Sequence, residues 1–450
     1  MRSRRLRLPG GSRSRLPAAF VIAAFALPGA ASAAPTWAPP REISDSGSAP
    51  LGLAATAGLG PSGDAVVLWH AAGGVQAVVR GSHRSFGKPR PIPGSKLSMP
   101  DLPARLAFDP RGATLAIWSY FEPHPRFVED GYAVDYTFGL RVAARGANSA
   151  FGRAQTLTDK LDADPSADVA IDRTGTAVVI WTDEAGMHAA ARPAGKRRFG
   201  RAQVISQTQA DPQVSVGESG SATAAWEARS HGTWTVRAAA GDDSNAFGRA
   251  RPLPIPGLGK SKPVIAVDGR SSVTAAWAAS DGRVMAATCK ASGRCGRARA
   301  LSPAGEKASD PRVAVAADGT AVVAWRSAAG VSATLRRGHH TFATPGRLAE
   351  LADGERTTGL AVAVGPGGDA AAMWLVHADK GDRVQAALRH GATGRFAKAS
   401  PLTGSVPGAS WSDPQVVVDE HGDALAVWGA MIDGHPSIQA TAYDAAGRAR

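Results

Sequence analysis

The chain has 450 residues, 44% hydrophobic and 20% charged, which is enough apolar material for a large core and excludes a disordered or fibrous protein. Only 2 cysteines are present, so a disulfide-dense scaffold is excluded too. The formal charge is +13, but residues 1–33 hold six arginines and no acid; the +7 left behind is scattered and forms no basic stripe of the kind nucleic acid requires.

The first element is an export signal. Arginines at 2, 4, 5, 7, 13 and 15 precede the apolar run "LPAAFVIAAFALPGA", and "ASA" at 31–33 supplies small residues for cleavage near Ala33. Two prolines and its short length make this run a removed signal rather than a membrane span, and no later segment is long and apolar enough to span. The pair Arg4-Arg5 resembles a twin-arginine address. The mature protein is therefore expected outside the cytoplasm, in the cell envelope or secreted.

From residue 34 onward one phrase recurs. "DPRGATLAIW" from Asp109, "DRTGTAVVIW" from Asp172, "AADGTAVVAW" from Ala316 and "DEHGDALAVW" from Asp419 share a turn followed by an apolar strand ending in Trp. The turn glycine lies six residues before the tryptophan in seven places, at Trp69, Trp118, Trp181, Trp226, Trp325, Trp374 and Trp428. Ser271 replaces the glycine before Trp277. Asp at the first turn position and a left-handed Gly at the fourth suit a type I hairpin turn, so the Asp is read as a turn residue and not a metal ligand. The tryptophans lie 45 to 63 residues apart, which is the period of a repeat architecture.

Each unit reads as four short antiparallel strands. An Ala/Val-rich first strand such as "VVVD" leads into the turn, the Trp strand returns, a third strand such as "VQAALR" (384–389) follows, and a segment of the form "FGRAQTL" (151–157) closes the unit. Four such strands make a propeller blade. The eighth unit stops after "IQATAYD" (438–444), and its missing last strand stands at the mature N-terminus as "WAPPREI" (37–43). Residues 34–450 are thus predicted to form one all-β domain, an eight-bladed β-propeller of four-stranded antiparallel blades, closed by pairing of the N-terminal strand with the C-terminal blade. The tryptophans are expected to wedge between blades, each able to hydrogen-bond through its ring nitrogen.

Cys289 ends the third strand of unit five, where other units carry Arg, and Cys295 stands in the Phe slot of its last strand. These slots face each other across a hairpin, so an exported protein would join them as a disulfide. Arg153, Arg201, Arg249 and Arg297 recur in the last strands and read as a solvated basic rim, with contact to anionic polymers as the alternative.

One unit departs from the frame. Trp is 11 residues from the end of the third strand in units one, three and six, but 27 in unit two, an insertion of 16 residues within 119–138. It carries three of the chain's four tyrosines. Candidate ligand-binding residues are Tyr120, Glu122, His124, Glu129, Asp130, Tyr132, Asp135 and Tyr136, joined by Asp162 and Asp164 from the next acidic loop on the same face of the ring. Smaller decorations are "HADKGDR" (377–383) and "MIDGHPS" (431–437). No catalytic residue, metal site or cofactor is assigned; Ser-His-Asp, HExxH and Gly-rich phosphate signatures are missing from the sequence.

The repeats resemble secreted β-propeller repeat proteins, with a ring closure similar to that of WD-repeat propellers. There is also a distant similarity to the Asp-box repeats of sialidases, although there the Trp follows the Gly by three residues and here by six. The resemblance implies architecture more than activity. The expected function is non-catalytic binding of a glycan, a cell-envelope polymer or an extracytoplasmic protein by a monomer. The alternative implied by the resemblance is a sialidase-like glycoside hydrolase, with Tyr120 and Glu122, or Glu122 and Asp135, as its candidate groups.

Overall fold

The computed structural model describes residues 36–446, except 83–84, 101, 129–130, 148, 209, 218–219, 243–245, 392–393 and 407. The export signal predicted over 1–33 lies outside the described residues.

Eight sheets form, each of four antiparallel strands. Blade 1 comprises Pro50–Leu59, Ala65–Ala71, Gly74–Arg80 and Arg90–Pro91. Blade 2 comprises Arg105–Phe108, Thr114–Val128, Gly131–Arg145 and Gln155–Leu161. Blades 3 to 7 repeat the order in sequence, and their second strands are Ala177–Asp183, Ala222–Ser230, Ser272–Ala278, Ala321–Ser327 and Ala370–His377. Blade 8 comprises Ser410–Val418, Ala424–Ile432, His435–Tyr443 and, from the other end of the chain, Arg41–Glu42. Each first strand packs against the first strands of the blades before and after it, and the eighth packs against the first. The sheets therefore close into a ring.

The repeated turn does what its residues dictate. The seven turn glycines all have left-handed φ, between 76° and 97°, and Ser271 adopts the same conformation at 58°. The turn aspartate folds back on its own loop. One carboxylate oxygen of Asp109, Asp172, Asp268 and Asp419 accepts the backbone N–H groups two and four residues on, at 2.8 to 3.0 Å.

Packing follows from the period of two along the second strand. In blade 1, Val66 and Leu68 face Ala116 and Trp118 of blade 2, while Ala65, Val67 and Trp69 face Leu425 and Val427 of blade 8. Each tryptophan points toward the preceding blade: Trp181 against Ile117, Trp226 against Ile180, Trp428 against Met373. Eight apolar clusters result, one for each interface of the ring. The indole nitrogens differ from the sequence expectation. Trp69 donates to the Ser48 carbonyl at 2.7 Å, but the other seven Nε1–H groups have no acceptor among the described residues. Wedge shape and apolar area, not hydrogen bonding, place these rings.

Outside blade 2 the outer strands are shorter than "FGRAQTL" suggests. In blades 1, 5, 7 and 8 they shrink to two residues, Arg90–Pro91, Arg299–Ala300, Ser400–Pro401 and Arg41–Glu42. The aromatic at the start of the segment makes an isolated bridge instead, as in Arg80–Phe86, Gly241–Phe247 and Arg389–Phe396. Trp37 bridges Tyr443 in the same way, and the Ala38 and Ile43 N–H groups donate to the Ala442 and Ile438 carbonyls, both at 2.9 Å. Cys289 and Cys295 occupy that slot in blade 5 and form the disulfide.

Candidate functional site

The insertion in blade 2 is a β-ribbon. Strands Thr114–Val128 and Gly131–Arg145 pair along their whole length, from Thr114 opposite Arg145 to Val128 opposite Gly131. Other blades end this hairpin after seven to nine residues per strand, so the outer part of the ribbon stands clear of the ring.

Its register sorts the side chains, because residues directly opposite share a face. One face carries the pairs Phe121–Phe138, Pro123–Tyr136, Pro125–Val134 and Phe127–Tyr132. The other carries Glu122–Thr137, His124–Asp135 and Arg126–Ala133. The first face is apolar throughout and largely uncovered: Phe127 is 92% exposed, Tyr132 63% and Tyr136 50%. Edge-to-face contacts stiffen it, Phe121 with Tyr136 at 5.8 Å and Phe127 with Tyr132 at 6.2 Å. The second face is self-satisfied. Arg126 pairs with Asp135 at 2.7 Å, and His124 Nε2 meets the Thr137 hydroxyl at 2.8 Å.

The root of the ribbon is anchored by one arginine. The Arg141 guanidinium lies over the Tyr120 ring, 3.7 Å from its centroid, and donates to the Gly94 and Lys96 carbonyls at 3.1 and 3.3 Å. It also reaches Glu122 at 3.4 Å. Tyr120 is only 2% exposed, and its burial raises the phenol above its ordinary range, opposed by the charge of Arg141. Gly139 lies opposite Tyr120, and a Cβ there would come within 2.5 Å of the ring. Segment 97–99 runs beside the root: the Phe121 N–H donates to the Leu97 carbonyl at 2.9 Å and the Met99 N–H to Ser119 at 3.0 Å.

The predicted residues therefore separate into three sets. Tyr132 and Tyr136 share the exposed apolar face. Glu122, His124 and Asp135 share the polar face, and Tyr120 belongs to the buried root. Glu129 and Asp130 lie outside the described residues. Asp162 and Asp164 follow the strand Gln155–Leu161, whose Leu161 pairs with Phe138, so they sit by the root and not by the tip. The Asp162 N–H donates to Glu184 at 3.0 Å. Composition directed attention to tyrosines and acids and passed over Phe121, Phe127, Pro123, Pro125 and Arg141. The signal was present, since "FEPHPRF" alternates apolar and polar residues over its length.

The smaller decorations are closed structures. Asp433 and Gly434, both with positive φ, make a tight two-residue turn. In "HADKGDR" the His377 ring bridges Asp382 and the Thr358 hydroxyl, both at 2.6 Å, which ties the loop to the first strand of blade 7. Among the described residues no three His, Cys, Asp or Glu side chains converge as a metal site, and no helix is long and apolar enough to cross a membrane.

No protein-family model matches the chain, and no curated protein matches it. Solved structures do. The BP39L lectin from Burkholderia pseudomallei is 13% identical over 81% of this chain and 100% of its own, with a TM-score of 0.52. The six-bladed lectin of Aleuria aurantia is 12% identical over 68% of this chain and 96% of its own, with a TM-score of 0.34. An ulvan lyase of a polysaccharide lyase family is 8% identical over 90% and 95%, with a TM-score of 0.45. At such identities the likeness to the bacterial lectin is one of fold: this chain is a β-propeller, of eight blades.

Proposed function

We propose that the protein is an exported, non-catalytic binding propeller that holds a glycan on the apolar face of the blade 2 ribbon. The observation that carries this reading is the exposure of Phe127, Tyr132 and Tyr136 on one face of a stiff ribbon clear of the ring. Exposed aromatic rings offer flat apolar surfaces to the C–H faces of sugars. They lose little conformational entropy on binding, having two side-chain torsions each. The hydroxyls of Tyr132 and Tyr136 would add hydrogen bonds to sugar hydroxyls, and Asp162 and Asp164, by the root of the ribbon, would meet further units of a longer glycan. The solved propeller covered over its whole length is described as a lectin, which agrees with this reading. A disulfide agrees with an oxidising, extracytoplasmic setting.

The hydrolase alternative draws little support. Its candidate carboxylates Glu122 and Asp135 are exposed and paired with Arg141 and Arg126, whereas a general acid works from a desolvated site. An extracytoplasmic protein partner remains the competitor, and the same aromatics would be its anchors. A glycan array probed with the intact protein decides between them. Replacing Phe127, Tyr132 and Tyr136 together by Ala should lower retention on the recognised glycan by at least about tenfold, with a melting temperature within about 1 °C of the parent. Retention unchanged in the triple variant, or no glycan bound by the parent, would remove the proposal.

A further inference from the structure

A second surface lies well away from the ribbon in sequence, on the outer parts of blades 5, 6 and 7. Three clefts of about 800, 390 and 370 Å³ surround segment 339–346 and share walls. The largest runs between blades 6 and 7 and is lined by Arg337, Arg347, Arg389, Arg395, His340 and Phe396. The two smaller ones lie toward blade 5 and share Arg297, Arg299 and Phe342. No carboxylate lines any of the three among the described residues.

Three of the cations have no acidic partner among the described residues: Arg297, Arg299 and Arg395 are exposed and have no ion pair, while Arg347 has Glu306 at 3.4 Å. Arg337 and Arg389 converge on one turn: Arg337 donates to the Gly367 carbonyl at 3.4 Å and Arg389 to that of Gly368. Arg337 Nε is buried without an acceptor among the described residues. Burial and the neighbouring Arg337 charge both push the Arg389 guanidinium below its usual range, opposed by the charge of Asp369. Guanidinium groups gathered in a groove without acids recognise carboxylate or sulfate groups through paired N–H donors.

The aromatic residues say which polyanion. Bases of a nucleic acid stack on open rings. Here Phe342 and Phe396 are half-buried, and the Arg336 guanidinium already lies over Phe342 at 5.2 Å. The groove reads charge and offers no platform for bases. We propose that it is a binding site for an acidic polysaccharide, one bearing uronate or sulfate groups, independent of the ribbon on blade 2.

Binding of the intact protein to polygalacturonate, dextran sulfate, neutral dextran and single-stranded oligo-dT tests this. The variant Arg297→Glu/Arg299→Glu/Arg395→Glu removes exposed cations of the groove. Arg153→Glu/Arg201→Glu/Arg249→Glu makes the same charge change on the rim of blades 2 to 4. The parent should bind at least one of the two polyanions and not neutral dextran, with affinity falling as salt rises. Polygalacturonate alone would assign carboxylates, and dextran sulfate alone would assign sulfate esters. The groove variant should lose at least about tenfold in affinity and the control less than about threefold. Equal losses in both variants, no binding of either polyanion, or oligo-dT bound as tightly as the polysaccharides would overturn the proposal. Should the groove variant melt early, the same substitutions to Gln keep the comparison.

Discussion

At the scale of single residues, one slot is solved by different chemistries around the ring. The residue ending the third strand must hold the aromatic that starts the outer segment. In blades 1, 3 and 6 this is an arginine over a ring, Arg80–Phe86 at 5.7 Å, Arg192–Phe199 at 5.5 Å and Arg336–Phe342 at 5.2 Å. Blade 8 uses Tyr443 against Trp37 at 5.6 Å, and blade 5 uses the disulfide Cys289–Cys295. In blades 2, 3 and 6 the arginine has a second task, since its charge faces an aspartate at the hairpin turn of the preceding blade. Arg145 lies 4.0 Å from Asp64, and Asp109 and Asp268 act on Arg192 and Arg336 in the same sense. A disulfide closing so short a loop stabilises by about 2 kcal/mol, and a partly buried cation–π pair by about 1. Replacing Cys289 by Arg and Cys295 by Phe should therefore give a protein insensitive to reductant and more stable than the double Ser variant by about 1 kcal/mol. Calorimetry with and without dithiothreitol checks both statements.

At the scale of the element, the ribbon solves a problem that its length creates. A long exposed strand has an open edge that invites pairing with another chain. Ser119 and Phe121 turn their backbone groups toward segment 97–99, so Pro123 and Pro125, at the same parity, lie on that outer edge. Proline has no N–H, and its placement there removes two donors from the unpaired edge. Replacing both by Val restores them. Concentration-dependent association, read by light scattering, is the expected result, with the melting temperature of the dilute protein nearly unchanged. A monodisperse double variant would show that the prolines serve another purpose.

At the scale of the whole molecule, the ring is closed by chain ends and tied by polar contacts between first strands. The Gln415 amide oxygen accepts the Ala57 N–H at 3.3 Å from blade 8 to blade 1, and Asp168 accepts the Val214 N–H at 2.8 Å from blade 3 to blade 4. Arg312 donates to the Leu360 carbonyl at 3.1 Å from blade 6 to blade 7. Asp168 does this at a cost. Burial pushes its carboxyl up to about 6, against the opposing pull of Arg105 and the Val214 and Val169 N–H groups. The folded value exceeds the unfolded one near 4, so the neutral form is favoured by folding. Its stabilising share is present below about pH 4 and is lost as pH rises through about 6. Asp168→Asn keeps an oxygen acceptor without the charge. Its stability should match the parent near pH 4 and exceed it by about 2 kcal/mol at pH 7.5, followed by chemical denaturation at the two values. A variant less stable than the parent at pH 7.5 would mean that attraction to Arg105 outweighs burial.

The number of blades, the inter-blade wedges, the closing strand and the disulfide slot were legible in the amino-acid sequence. Each is a local pattern written repeatedly, so that the unit explains its own exceptions: Ser271 for Gly, Cys289 for Arg, Trp37 for Phe. The insertion was legible as a break in that spacing, but its internal order was not. Only the tertiary structure placed Tyr120 in the root and Phe127 on the open face, because that sorting depends on register and on Arg141 reaching carbonyls more than forty residues away. It also showed seven indole nitrogens without acceptors among the described residues, and arginines of three blades meeting around one groove. Periodicity along a chain dictates which element forms and which side is apolar; what the remaining side chains face is decided by neighbours remote in sequence, and the chemistry of both surfaces resides there.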